Sequence, residues 1–260
     1  MSSTLIGDTR VTVHGSGPTL FLCHGFTTTG AFWREQIEAF STTHRLVIID
    51  LPGHGSSPRP AHRDYTMEAF VSDLERVFDT LRITEAVLIG LSMGGTIAQA
   101  FALKNPHLLR ALVLVGATPH GLGPDVRVDN VLKAIDELGV EPASQAVIER
   151  SFGSVAPRAL IDFARQEVTQ TPAFVARQAI ASLNAADSRA QLARLQLPAL
   201  VVCGEEDRIT PPAESRALAQ GLPHAELLLI PQAAHFPMLE QPAAFNDGLR
   251  HFIGRLPAVQ

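Results

Sequence analysis

The chain is poor in cysteine and in charge. It has two cysteines in 260 residues, Cys23 and Cys203. Two lone thiols make no disulfide framework, and both lie in apolar runs, so both are expected to act as small buried hydrophobes. Charged residues make up 18%, below the usual quarter or so, and the net charge is −5. No basic excess exists to meet a nucleic acid, and no run of about five like charges forms a tail. No apolar stretch approaches the roughly 18 residues of a membrane helix. Met1 to Gly7 shows no basic stretch followed by an apolar one, so no signal peptide is readable, and a soluble cytoplasmic protein is expected. Internal repeats, low-complexity linkers and Cys/His spacings suited to zinc are also missing.

What is present is a large apolar fraction, 46%, enough to offset chain entropy and to argue against disorder. It falls in short continuous runs: Thr19 to Cys23, Arg45 to Ile49, Ala86 to Ile89, Leu109 to Val115, Ala199 to Cys203 and Glu226 to Ile230. Strands covered on both faces in a parallel sheet read this way. Thr9 to His14 alternates more weakly and suits an antiparallel edge. Between the runs lie helix-like stretches: Gly30 to Phe40, Thr66 to Leu81, Met93 to Lys104, Ala213 to Leu222 and Pro242 to Phe252. Alternating β and α implies a mostly parallel sheet with helices on both faces, an α/β fold. Residues 118–195 break the rhythm with helical fragments only. We read them as a lid between two parts of one core, 1–117 and 196–260.

Ala86 to Thr96 carries the chemistry. A buried strand runs into Gly90-Leu91-Ser92-Met93-Gly94 and then into a helix. A serine nucleophile on a strained strand-to-helix turn needs small neighbours two residues away on each side. Ser92 therefore calls for a base and an orienting acid. Among 10 histidines, His235 follows the final strand, where the chain order Ser…Asp…His places the base. His107, His120, His224 and His251 are expected at the surface, and His24 and His54 in loop packing or hydrogen bonding. The acid candidate is Asp207, after the strand ending at Cys203; Glu205, Glu206, Asp125 and Asp187 compete. Two N–H donors should meet a developing oxyanion. Met93 follows the nucleophile, and Phe26 lies in the His24-Gly25-Phe26 loop after the first core strand.

Together these segments resemble the α/β-hydrolase superfamily over essentially the whole chain. The matches are His24-Gly25-Phe26, Asp50 to Ser57, Gly90 to Gly95, Gly204 to Asp207 and Ala234-His235-Phe236, in the family's order. The resemblance implies an α/β-hydrolase fold with a helical lid and a structural role for the Asp50 to Ser57 turn. Ser92 stands where haloalkane dehalogenases and epoxide hydrolases carry Asp. Leu91 and Phe236 stand where C–C bond hydrolases often carry Asn and Trp. The chain looks most like serine carboxylesterases and 3-oxoadipate enol-lactonases. Cofactor-free perhydrolases share the triad, and small-molecule receptors on this fold can keep it. The implied substrate is a small ester or lactone, with no cofactor, no metal and no nucleic acid; a homo-oligomer is left open. Lid residues Phe152, Phe163 and Phe174 and arginines Arg127, Arg150, Arg158, Arg165 and Arg177 should set specificity around an apolar pocket. Helix-borne arginines are expected to face solvent.

Overall fold

The structure is a computed structural model and describes residues 2–122, 126–168 and 170–257. Its strands are β1 (Ser2–Ile6), β2 (Thr9–His14), β3 (Thr19–Cys23), β4 (Arg45–Asp50), β5 (Ala86–Leu91), β6 (Leu109–Val115), β7 (Ala199–Gly204) and β8 (Ala225–Ile230). They form one sheet in the order β1-β2-β4-β3-β5-β6-β7-β8. β1, β2 and β4 pair antiparallel, and every other pairing is parallel.

Five of the six continuous apolar runs become inner strands with both sheet faces covered, while the sixth, in β8, forms a partly buried edge. Alternate residues point to opposite sides of a strand, and the core divides accordingly. Phe21, Val47, Leu88, Leu112 and Val201 join one apolar cluster; Leu22, Ile48, Ile89, Val113 and Val202 join the other. The helices are α1 (Arg34–Phe40), α2 (Met67–Thr80), α3 (Met93–Lys104), α4 (Val128–Leu138), α5 (Val140–Arg150), α6 (Arg158–Val168), α7 (Ala173–Ala185), α8 (Pro212–Gly221), α9 (Pro237–Glu240) and α10 (Pro242–Gly254). On the first face α2, α3 and α8 supply Phe70, Leu74, Phe101 and Leu218. On the second, α1 and α10 supply Phe40, Phe245, Leu249 and Phe252.

Several boundaries differ from the sequence reading. Gly30 to Phe40 splits into a 3₁₀ turn, Gly30–Trp33, and α1, and the last helical fragment before β7 is a 3₁₀ stretch, Arg189–Arg194. Thr66 lies outside α2 as its N-cap, its side chain accepting from the Ala69 N–H, as short polar caps do. β2 is antiparallel but not an edge, since β1 pairs along its outer side. Between β6 and β7 the described residues hold α4 to α7 and no strand, only an isolated bridge from His120 to Asp187.

The chain passes from β3 to β4 on one side and returns to β5 on the other. Open α/β sheets bind ligands beyond the carboxyl ends of their strands at such a reversal. The loop after β3 and the turn after β5 meet there. Among the described residues no helix is long and apolar enough to cross a membrane.

Candidate active site

Ser92 sits at the end of β5 with φ +51° and ψ −115°, a conformation costing a non-glycine residue about 1–3 kcal/mol. The neighbours hold it there. Its N–H donates to the Val115 carbonyl at 2.8 Å, and its own carbonyl accepts from Gly95 at 2.8 Å and Thr96 at 3.2 Å. The flanking glycines are steric requirements. A Cβ on Gly90 would strike the Gly94 carbonyl, and one on Gly94 would strike the carbonyls of Cys23 and His24.

Met93 opens α3, so its N–H has no intrahelical acceptor. Phe26 lies across the cleft in the loop after β3. There the Thr28 Oγ1 accepts from the Gly25 N–H at 2.9 Å, fixing the turn. Among the described residues neither the Phe26 nor the Met93 N–H is committed to a protein acceptor. A Cβ on Gly25 would lie 3.3 Å from the Ser92 Cβ, which shows how closely this loop approaches the serine.

His235 and Asp207 meet with Nδ1 2.9 Å from Oδ2, and both residues are buried. The carboxylate is well satisfied. Oδ1 accepts from the N–H groups of Ile209 (2.8 Å) and Thr210 (3.0 Å), and Oδ2 from the Thr210 hydroxyl at 2.8 Å. Burial alone would raise the Asp207 pKa, but the His235 charge and hydrogen bond, with these amides, outweigh it and hold the carboxyl below its ordinary value. Gly116, at φ +52°, backs the imidazole: a Cβ there would lie 3.0 Å from His235 Nδ1.

Ser92, His235, Phe26 and Met93 line one cavity of about 350 Å³. The competing acids lie elsewhere. Glu205 is exposed, Glu206 binds Ser154, and Asp187 pairs with Arg189 at the surface; Asp125 falls outside the described residues. Asp50 accepts from the N–H groups of Gly30 and Ser56 at 2.7 and 2.8 Å, bracing two loops. His24 is fully buried, its Nε2 accepting from the Leu51 N–H at 2.9 Å. His107, His224 and His251 are exposed, and His120 pairs with Glu214 at 2.8 Å.

The five arginines singled out between β6 and β7 divide into two groups. Arg158, Arg165 and Arg177 form ion pairs with Asp162, Glu149 and Asp136. Arg127 and Arg150 line the cavity, as does Arg208. The described lining contains no Asp or Glu, although acids outnumber bases in the chain, 26 to 21. Phe152 and Phe163 pack on the core rings of Phe236 and Phe32 at 5.2 and 5.5 Å, and Phe174 packs on Tyr65 at 5.8 Å.

Residues 20–247 match the model of the alpha/beta hydrolase family. The chain belongs to that family. It is 29% identical over 251 residues to a pimeloyl-[acyl-carrier protein] methyl ester esterase from Aeromonas hydrophila, covering 92% of this chain and 97% of that one. A solved thermophilic esterase from Thermogutta terrifontis superposes with TM-score 0.87 at 28% identity, covering 98% of both chains. An enol-lactonase from Burkholderia xenovorans LB400 superposes with TM-score 0.89 at 25% identity, covering 98% of this chain and 100% of the other.

Thr210, Gly116 and Glu240 are site neighbours that the sequence reading passed over, and Glu206, weighed there only as a rival acid, instead holds Ser154. Thr210 had a usable signal. A threonine three residues after an aspartate, ahead of Pro211-Pro212, suits a turn in which the Asp side chain takes the following amides.

Proposed function

We propose that this protein is a serine hydrolase that cleaves a carboxylic ester or lactone. Ser92 is the nucleophile, His235 the general base, Asp207 its orienting acid, and the Phe26 and Met93 N–H groups the oxyanion donors. The observation that carries the reading is the buried 2.9 Å pair of His235 and Asp207, opening on the same cavity as the strained Ser92. The esterase and enol-lactonase relatives support the reaction class.

In the first half-reaction His235 takes the Ser92 proton through Nε2 as Oγ bonds to the carbonyl carbon. The oxyanion meets the two N–H groups, each worth about 2.7–4 kcal/mol by analogy with measured donors. The carbon–oxygen bond to the leaving group breaks, and His235 delivers the proton to the departing alkoxide. Water then loses a proton to His235 and attacks the acyl-enzyme. The Ser92 ester bond breaks, Oγ regains its proton, and the acid leaves; with a lactone, acid and alcohol remain one molecule. Asp207 holds the Nδ1–H tautomer and stabilises the imidazolium throughout.

The insertion serves as the lid of this pocket. Its described lining is mainly apolar, with three solvent-exposed arginines at its edge and no Asp or Glu, which favours substrates with a negative group away from the scissile carbonyl. Arg127 and Arg150 come from the lid and Arg208 from the acid loop. The test is a matched pair, a dicarboxylic acid half-ester against the neutral monoester of equal length. The half-ester should show the lower KM, and Arg150→Ala should erase most of the difference. Equal KM values would refute the charge preference. No hydrolysis of any ester, with no reaction of Ser92 with a phosphonate, would refute the enzyme reading in favour of a receptor.

A further inference from the structure

Glu240 is a buried carboxylate with no part in the mechanism above. It ends α9, and both of its oxygens accept hydrogen bonds from backbone amides. Oε1 accepts from the N–H groups of Ala234 at 3.0 Å and Phe236 at 3.1 Å, the residues on either side of His235. Oε2 accepts from the Gly153 N–H at 2.6 Å, in the turn between α5 and α6 of the insertion. The His235 N–H itself donates to the carbonyl of Ser151, in that same turn, at 2.9 Å.

The acid loop grips the same turn from its other side. Glu206, the residue before Asp207, accepts from the Ser154 N–H at 2.7 Å and its hydroxyl at 2.9 Å. Gly153 thus lies between two carboxylates; a Cβ there would be 3.1 Å from Glu240 Oε2 and 3.3 Å from Glu206 Oε2. The amides of residues 234 to 236 are held by Glu240 and by the insertion. The backbone that aims His235 therefore cannot settle independently of the 151–154 turn.

We propose that Glu240 is a positioning residue that couples the seating of the lid turn, residues 151–154, to the aim of the His235 imidazole. The pocket is then catalytically competent only with its lid turn docked, because one carboxylate holds both. Unpaired buried amides are costly, so removing this carboxylate disturbs the base loop and the lid together. The proposal rests on the serine hydrolase reading.

The test separates the two connections. In Glu240→Gln the amide oxygen can still accept from Ala234 and Phe236, while the NH₂ group faces the Gly153 N–H donor to donor. In Glu240→Ala every bond is lost. Glu206→Ala frees the turn from the acid loop and leaves Glu240 intact. Each variant is assayed on a p-nitrophenyl ester, with active sites counted by a serine-directed phosphonate so that kcat refers to folded enzyme. We expect kcat to fall at least tenfold in Glu240→Ala and less in Glu240→Gln, with KM rising more than kcat falls in Glu206→Ala. Coupling also requires the Glu240→Gln/Glu206→Ala double variant to lose less than the product of the single effects. If Glu240→Ala does not fold, Glu240→Gln and Glu206→Ala decide the matter alone. A kcat within twofold of the parent in every folded Glu240 variant, or strictly multiplicative losses, overturns the proposal. Failure of the parent itself to turn over ester or react with phosphonate would instead sink the serine hydrolase reading.

Discussion

At Ser92 the backbone is forced to φ +51° by a turn with no room for side chains on Gly90 or Gly94. Gly94→Ala should therefore be worse than an ordinary helix substitution, since its Cβ meets two backbone carbonyls of the loop after β3. We expect a loss of several kcal/mol of stability, above the roughly 1 kcal/mol typical of point changes, read as a lowered urea midpoint. Unchanged stability would contradict the close approach. For Asp207→Asn the expectation is a fall in kcat of about 10⁴ with the fold intact, because the amide no longer favours the Nδ1–H tautomer. Near-parental turnover would move the acid role to another carboxylate. The triad candidates were legible because each follows a strand in a fixed chain order. Glu240 was not, since it acts through amides that only the folded turns bring together, and no spacing in the sequence marks that meeting.

Among the elements, the central strands were legible and the first strand was not. β5 and β7 are buried at every position, so they read as unbroken apolar runs. β1, Ser2–Ile6, is exposed at four of its five positions and shows only the weak pattern of a sheet edge. The helical insertion stood out by its lack of strand-like runs, but the anchoring role of its phenylalanines needed the three-dimensional contacts. Phe152 is seated on Phe236 and buried. Phe152→Ala should cost about 3 kcal/mol, the lower end for buried Phe→Ala changes, and should alter preference among acyl chain lengths. Thermal unfolding and an ester panel check both; unchanged selectivity would separate this ring from substrate choice.

For the molecule as a whole, acid stability follows from two histidines that are buried and neutral. Burial lowers the His24 pKa to about 4 and the His54 pKa to about 3. His24 Nε2 must also stay unprotonated to accept from Leu51. In the unfolded chain both groups titrate near 6.5. As pH falls below that value, the unfolded state takes up protons that the native state refuses, so stability falls with pH. The His24 shift corresponds to about 3 kcal/mol lost between pH 6.5 and 4 at about 1.36 kcal/mol per unit. The carboxyl of Asp207, its pKa lowered in the fold, adds a further loss at still lower pH. Urea unfolding from pH 7.5 to 4.5 should show this slope, and His54→Gln should flatten it. A midpoint constant over that range would contradict the neutral, buried state of both rings.

The central claim is that Ser92 attacks the substrate, and covalent labelling tests it most directly. After reaction with a fluorophosphonate, intact mass should rise by one adduct, and peptide mapping should place it on Ser92. Ser92→Ala should abolish both the adduct and p-nitrophenyl ester turnover. An adduct on another residue, or a Ser92→Ala variant that still hydrolyses ester, would contradict the assignment.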